Sequence, residues 1–246
     1  MHISITGMIF LAIASFFVGV SKTALPGLTT VSVAIFVAVL PAKESTAALL
    51  ILLLVGDIFA LHAWRQFADW SVLRKLLIGV FAGVGCGALF LAVVPEVVLR
   101  RGIGALLICL VLLTICLKYY RPDQTSHHCT SPRARWFYGS LAGFTTMTAN
   151  SGGPVMSLYF IASGYHIAEF LGTQAWFFFL VNMMKLPFTL GLGLLRGPTL
   201  SILPYLVPFV IIGSLVGTKS IKYFSQQTFD HSIIFLTLVS SAYLLW

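Results

Sequence analysis

Long uncharged apolar stretches, separated by short polar breaks, make up most of this chain. They run over 3–21, 24–42, 76–94, 102–117 and 200–218, and 45–63 is interrupted only by Asp57 and His62. Several approach the roughly 20 residues that a helix needs to cross the bilayer core. The pattern predicts an all-α polytopic membrane protein. Composition agrees, with 59% hydrophobic and 9% charged residues and a mean hydropathy of +0.98, far from an ordinary soluble domain. The first stretch lacks the basic start of a secretory signal and runs directly into a polar motif, so it is read as part of the mature protein.

Two breaks differ from the rest. Residues 19–27 read GVSKTALPG and residues 143–154 read GFTTMTANSGGP. Each interrupts an apolar run with small, polar and helix-breaking residues, and each opens a half of the chain built in the same order. Superposing the halves pairs Gly19 with Gly143, Asp57 with Asn182, and Gly83 and Gly87 with Gly213 and Gly217. Paired interruptions in two repeats are the sequence pointer to a transport site. The expected organisation is a first transmembrane repeat over 1–117, a polar cytoplasmic linker over 118–135 and a second repeat over 136–246.

The net charge of +8 does not indicate nucleic acid, because the basic residues lie mainly in short loops between apolar runs. Placing Arg65, Arg74, Lys75, Lys118, Arg121, Arg133, Arg135, Lys219 and Lys222 on one side leaves Lys43, Arg100, Arg101 and Arg196 on the other, which makes the first side cytoplasmic. Each half should hold two helical pieces flanking its motif and three longer helices. Whether the flanking pieces cross fully or form re-entrant hairpins, the number of crossings per half is odd. The repeats are therefore expected to be inverted, with both termini outside the cytoplasm and one site near the midplane where the breaks meet.

Irregular backbone survives in hydrocarbon only when buried in protein or lining a cavity. Gly27, Gly152 and Gly153 permit unusual backbone angles and close approach of a ligand, and Pro26 and Pro154 suit the first turn of the helices that follow. Helix starts present unpaired N–H groups and the positive end of a dipole, which suit an anion. Lys22 adds a full positive charge. Ser21, Thr23, Thr148, Asn150 and Ser151 can donate to oxyanion oxygens or cap helices. Thr173, Gln174, Asn182 and Lys185 lie along one segment, with Asn182 and Lys185 about 80° and 20° around the helix from Gln174. That face can line a substrate path or bond between helices. Asp57, well inside its apolar run, can pair with Lys22 or Lys185 or carry a proton.

Other features are read as structural. Gly79, Gly83 and Gly87, four apart, form a flat helix face for close packing, repeated by Gly213 and Gly217. His127-His128-Cys129 lacks further ligands at metal-binding spacing. Cys86, Cys109, Cys116 and Cys129 show no disulfide pattern. The cluster Trp176-Phe177-Phe178-Phe179 spans the helix circumference and is assigned to lipid contact and packing. No nucleophile–base set supports an enzyme, and neither a metal nor a cofactor is expected.

These residues resemble the sulfite exporter TauE/SafE family of small permeases, which includes toluene-sulfonate uptake members. The likeness rests on GVSKTALPGL, on PAKESTAALLILLLVGD with the loop Trp64-Arg65-Gln66-Phe67-Ala68-Asp69-Trp70, and on SGGP followed by LGTQAWFFFLVNMMKLP. The resemblance implies a bacterial inner-membrane permease moving sulfite, organosulfonates or similar small sulfur-containing anions, outward and coupled to the proton gradient. A passive small-anion channel is the alternative. Membrane lipid and the anion are the expected partners, and a homodimer is an open oligomeric state. Family members commonly carry Arg before the Gly-Thr pair, where this chain has Leu171.

Overall fold

A computed structural model of the chain describes residues 4–93, 105, 108, 109, 112, 131–150, 152–191 and 197–245. Ser151, the linker through residue 130 with His127-His128-Cys129, and most of the stretch 102–117 lie outside the described residues. Among the described residues every regular element is helical. They are α1 (Ile5–Thr23), α2 (Leu28–Val39), α3 (Ala42–Trp64), α4 (Trp70–Val93), α5 (Pro132–Ala149), α6 (Gly152–Ala162), α7 (Ile167–Gly191), α8 (Gly197–Ser220) and α9 (Gln226–Leu245).

Among the described residues five helices are long and apolar enough to cross a membrane, over Ile5–Thr23, Glu44–Phe67, Trp70–Phe90, Ile167–Gly191 and Leu200–Tyr223. The pieces after the two breaks, α2 and α6, have 12 and 11 residues. At about 1.5 Å per residue neither reaches across the roughly 30 Å hydrocarbon core. Helix lengths repeat in order: α1 to α4 have 19, 12, 23 and 24 residues, and α5 to α8 have 18, 11, 25 and 24. Side chains set the corresponding starts. Ser4 Oγ accepts from the Gly7 N–H at 3.1 Å before α1, and Ser131 Oγ accepts from the Ala134 N–H at 3.2 Å before α5, with Pro132 opening that helix.

The chain forms two compact units, each drawing on both halves of the sequence. One combines Met1–Gln66 with Ala175–Phe224, the other Phe67–Gln174 with Ser225–Trp246. In the first unit Leu11, Ala14, Val18, Phe36, Leu49, Leu52, Leu206 and Val210 form a buried apolar core. There α1 lies directly on α8: a side chain at Gly19 would strike the Val210 carbonyl, and one at Gly213 the Phe16 carbonyl. In the second unit α4 lies on α5 by the same device. A Cβ at Gly79 would sit 2.6 Å from the Trp136 carbonyl oxygen, and one at Gly143 2.5 Å from that of Val80. Backbones approach this closely because neither helix interposes a side chain. The opposite faces carry the bulk, with Ile78, Phe81 and Leu89 exposed on α4 and Phe209, Ile212, Leu215 and Val216 on α8. Small residues inside and large apolar residues outside are what a lipid-embedded bundle needs.

The glycines of the breaks do not use the backbone freedom they permit. Gly27 has φ −62° and ψ −23°, ordinary right-handed helical values, and caps α2; Pro26 lies in the turn before it. Gly152 and Gly153 are the first residues of α6, and among the described residues the positive-φ positions are Asn150 and Gly164. The left-handed residue of the second break is therefore Asn150, at φ 51°, whose N–H bonds back to the Thr146 carbonyl at 3.1 Å to close α5. Asn tolerates this conformation better than other side chains, so no glycine is needed there.

Gly83 and Gly85 separate packing from propensity. A Cβ at Gly83 would overlap the Ser140 carbonyl, whereas one at Gly85 meets nothing within 4 Å. Gly83→Ala should lower the melting temperature of the detergent-solubilised protein by roughly 3 °C or more, from an overpacking cost of about 1–3 kcal/mol. Gly85→Ala should leave it unchanged or raise it. Equal behaviour of the two variants in a thermal unfolding assay would contradict the packing described here.

Candidate functional site

The site is built where α1 stops. Thr23 ends the helix, and Ala24 through Gly27 turn the chain before α2 begins at Leu28. Ser21 Oγ donates to the Pro26 carbonyl at 2.9 Å, accepts from the Thr29 N–H at 3.1 Å and bonds the Thr29 hydroxyl. Thr23 Oγ1 donates to the carbonyls of Gly19, at 3.1 Å, and Ser214, at 3.0 Å. From α3, the Trp64 indole N–H donates to the Thr23 carbonyl at 3.1 Å. The backbone groups freed by the break thus find partners inside the protein, as a hydrocarbon surrounding demands. The hydroxyls of Ser21 and Thr23 are engaged with this framework.

Lys22 lies between those two hydroxyl residues and is only 8% exposed. Its Nζ is 2.6 Å from Asp57 Oδ1, on α3. Asp57 is fully buried, and its second oxygen, Oδ2, accepts from Asn182 Nδ2 at 2.7 Å. The Phe178 ring centroid lies 4.8 Å from the Lys22 ammonium, within cation–π range. Lys185, 2% exposed, acts through its charge on both Lys22 and Asp57. Phe178, Asn182 and Lys185 are spaced i, i+4, i+7, so one stripe of α7 supplies a ring, an amide and an ammonium. Gly56 makes room for the pair: a Cβ there would lie 2.9 Å from Lys22 Cγ.

Of the residues expected from sequence, the first unit therefore gathers Lys22, Asp57, Asn182 and Lys185, with Ser21, Thr23 and Gly27 shaping the adjoining break. The others belong to the second unit. There Thr173 Oγ1 accepts from the Asp69 N–H at 2.9 Å. Gln174 is buried, with no hydrogen-bond partner for Oε1 among the described residues. Thr148 Oγ1 donates to the Phe144 carbonyl at 2.8 Å. Asn150 caps α5, and Gly152 and Gly153 are buried at the start of α6.

Sequence reasoning missed Phe178, because a run of four aromatics hides the one at helical spacing from Asn182. It also missed a polar latch in the second unit. Asp69 Oδ1 accepts from the Ser71 and Val72 N–H groups at 2.9 and 3.2 Å, capping α4, while Oδ2 accepts from the Tyr165 hydroxyl at 3.0 Å. Burial, and then the Asp69 carboxylate, push the Tyr165 pKa far above its ordinary value, so the phenol stays a donor. Gln226 Nε2 donates to the Tyr165 carbonyl at 3.2 Å and its Oε1 accepts from the Ile167 N–H at 3.1 Å, fastening the start of α9 to that of α7.

The chain matches the family model described as Sulfite exporter TauE/SafE over residues 11–244, nearly its whole length, and it belongs to that family. With its apolar helices this makes it a multi-pass membrane transporter of sulfur-containing anions; the family's members are transporters, not enzymes. Neither a curated protein nor a solved structure matches it.

Removing one partner of a buried ion pair strands the other charge. Asp57→Ala should cost about 3 kcal/mol or more in unfolding experiments on the solubilised protein. Adding Lys22→Ala should restore part of that loss. A double variant less stable than Asp57→Ala alone would contradict the pairing.

Proposed function

Taking membership of this family as the premise, we propose that the chain exports sulfite or short organosulfonates across a bacterial inner membrane, coupled to the proton gradient. In this reading the anion binds at Lys22 and Lys185, beside the break between α1 and α2. The observation that carries it is electrostatic. Two lysines and one aspartate are buried together on a membrane-spanning framework, and among the described residues of that unit Asp57 is the one buried acidic side chain. Charges in such surroundings are costly and mark ion pathways. An arriving anion would face two buried ammoniums here.

The helix break contributes to the same site. At the break the Ser21 hydroxyl bonds the Pro26 carbonyl and the Thr29 N–H, and the Trp64 indole bonds the Thr23 carbonyl, which holds the backbone beside Lys22 in one arrangement. A preorganised ammonium binds an oxyanion without first ordering its own side chain. The reading extends to two inverted repeats with both termini outside the cytoplasm. The repeated order of helix lengths supports the repeat, and the loop distribution of basic residues supports the orientation.

Purified protein in liposomes should move sulfite, and Lys22→Ala should lower the initial rate at least tenfold, since a charge-assisted hydrogen bond contributes about 1.5–3 kcal/mol. A Lys22→Ala rate equal to the native one would remove Lys22 from the site. Sulfite flux indifferent to an imposed pH gradient would make the protein a passive channel.

A further inference from the structure

We propose that the paired helices α4 and α5 of the second unit carry a docking surface for an anionic phospholipid, with basic side chains on its phosphate and exposed apolar side chains along its acyl chains. Lys22 and Asp57 belong to the first unit, and the surface does not depend on which anion is transported.

Helix packing assembles the charge. A Cβ at Gly139 would lie 2.5 Å from the Leu76 carbonyl oxygen, one at Gly79 2.6 Å from that of Trp136, and one at Gly87 3.1 Å from the Met147 Cβ. The contacts advance together along both helices, so α4 and α5 run in the same direction with their starting ends side by side. Arg74 and Lys75, just before Leu76, are thereby brought level with Arg133 and Arg135, just before Trp136. Two separate stretches of sequence meet in one basic patch.

The patch lacks counter-charge. Among the described residues none of the four basic side chains enters an ion pair. Arg74, Lys75 and Arg133 are exposed, and the half-buried Arg135 has its Nε enclosed without a hydrogen-bond partner. The first turns of α4 and α5 hold no acidic residue. Of the acids on neighbouring elements, Asp69 bonds the Ser71 and Val72 N–H groups through one oxygen and the Tyr165 hydroxyl through the other. Glu169, in the first turn of α7, pairs with none of the four. Arg133 and Arg135 also occupy the first turn of α5, where the helix dipole disfavours a cation. An external anion relieves both this cost and the mutual repulsion. A general bias of basic residues toward one side of a membrane is met by charges scattered over loops. It does not call for four at one level of a single helix pair.

The apolar residues next to the patch decide the kind of anion. Arg74, Ile78 and Phe81 are spaced i, i+4, i+7, so one exposed stripe of α4 passes from charge to hydrocarbon within about two turns. Arg133, Trp136 and Phe137, spaced i, i+3, i+4, repeat that order on α5. Tryptophan favours the headgroup level of a bilayer. A free oxyanion would use the basic end alone, whereas a phospholipid matches the whole of each stripe.

The test titrates the purified full-length protein in a neutral detergent with phosphatidylglycerol or phosphatidylcholine and counts bound lipid by native mass spectrometry. Phosphatidylglycerol should bind at least tenfold more tightly, since each basic residue near an anionic headgroup contributes roughly fivefold. The double variant Arg74→Gln, Arg133→Gln should lose most of that preference, and Arg74→Lys, Arg133→Lys should keep most of it. The glutamine pair should melt no lower than native protein in lipid-free detergent, because it removes repulsion at exposed positions and no buried contact. Equal affinity of native protein for the two lipids would overturn the proposal, as would an undiminished preference in the glutamine pair. Inorganic phosphate that displaces phosphatidylglycerol at equal concentration would overturn the lipid assignment in favour of a free anion.

Discussion

The ion pair between Lys22 and Asp57 is the constraint around which the first unit is organised. A charged group in hydrocarbon surroundings is tolerated only when it is paired and its remaining bonding capacity is used. Each neighbour answers one part of that demand. Asn182 fills the second carboxylate oxygen, Phe178 offers its ring to the ammonium, and Gly56 leaves space for the lysine stem. The break after α1 adjoins the pair, since Lys22 occupies the last turn of a helix whose end is fastened by Ser21, Thr23 and Trp64.

Around that centre, close helix contact supplies the framework. Lipid gives no hydrophobic drive for helices to associate, so packing must come from shape. Glycines let α1 meet α8 in one unit and α4 meet α5 in the other, each time at backbone distance. The contacts join helices from opposite halves of the sequence. That is why the compact units do not follow the expected repeat boundaries, even though helix lengths recur in order from α1–α4 to α5–α8.

Much of this was legible in the sequence, for identifiable reasons. Apolar runs located four of the five spanning helices because the hydrocarbon core leaves few compositions open; Ile167–Gly191 is masked by Glu169 and Lys185, and the run over 24–42 holds the shorter α2. Lys22, Asp57, Asn182 and Lys185 stood out because polar side chains are rare in such runs, and Asp57 and Asn182, paired as repeat mates, prove to be hydrogen-bonded. What escaped was set by tertiary approach. Phe178 acquires its role only when α1 brings Lys22 over its ring, and Tyr165 only when a loop brings Asp69 to its hydroxyl. Residue type alone does not place the left-handed turn of the second break, which falls on Asn150 and not on the glycines that follow it. Hydroxyls at the first break offered two roles by residue type alone, and in the fold those of Ser21 and Thr23 bond the framework.

The central claim is that the cluster of two ammoniums and one carboxylate receives the transported oxyanion. Selenite carries the shape and charge of sulfite together with a strong anomalous scatterer. A crystal structure of the protein grown with selenite should show a selenium peak beside the ammoniums of Lys22 and Lys185, with at least one oxygen within hydrogen-bonding distance, about 2.7–3.2 Å. A selenium peak that touches neither ammonium, with this cluster unchanged, would contradict the account.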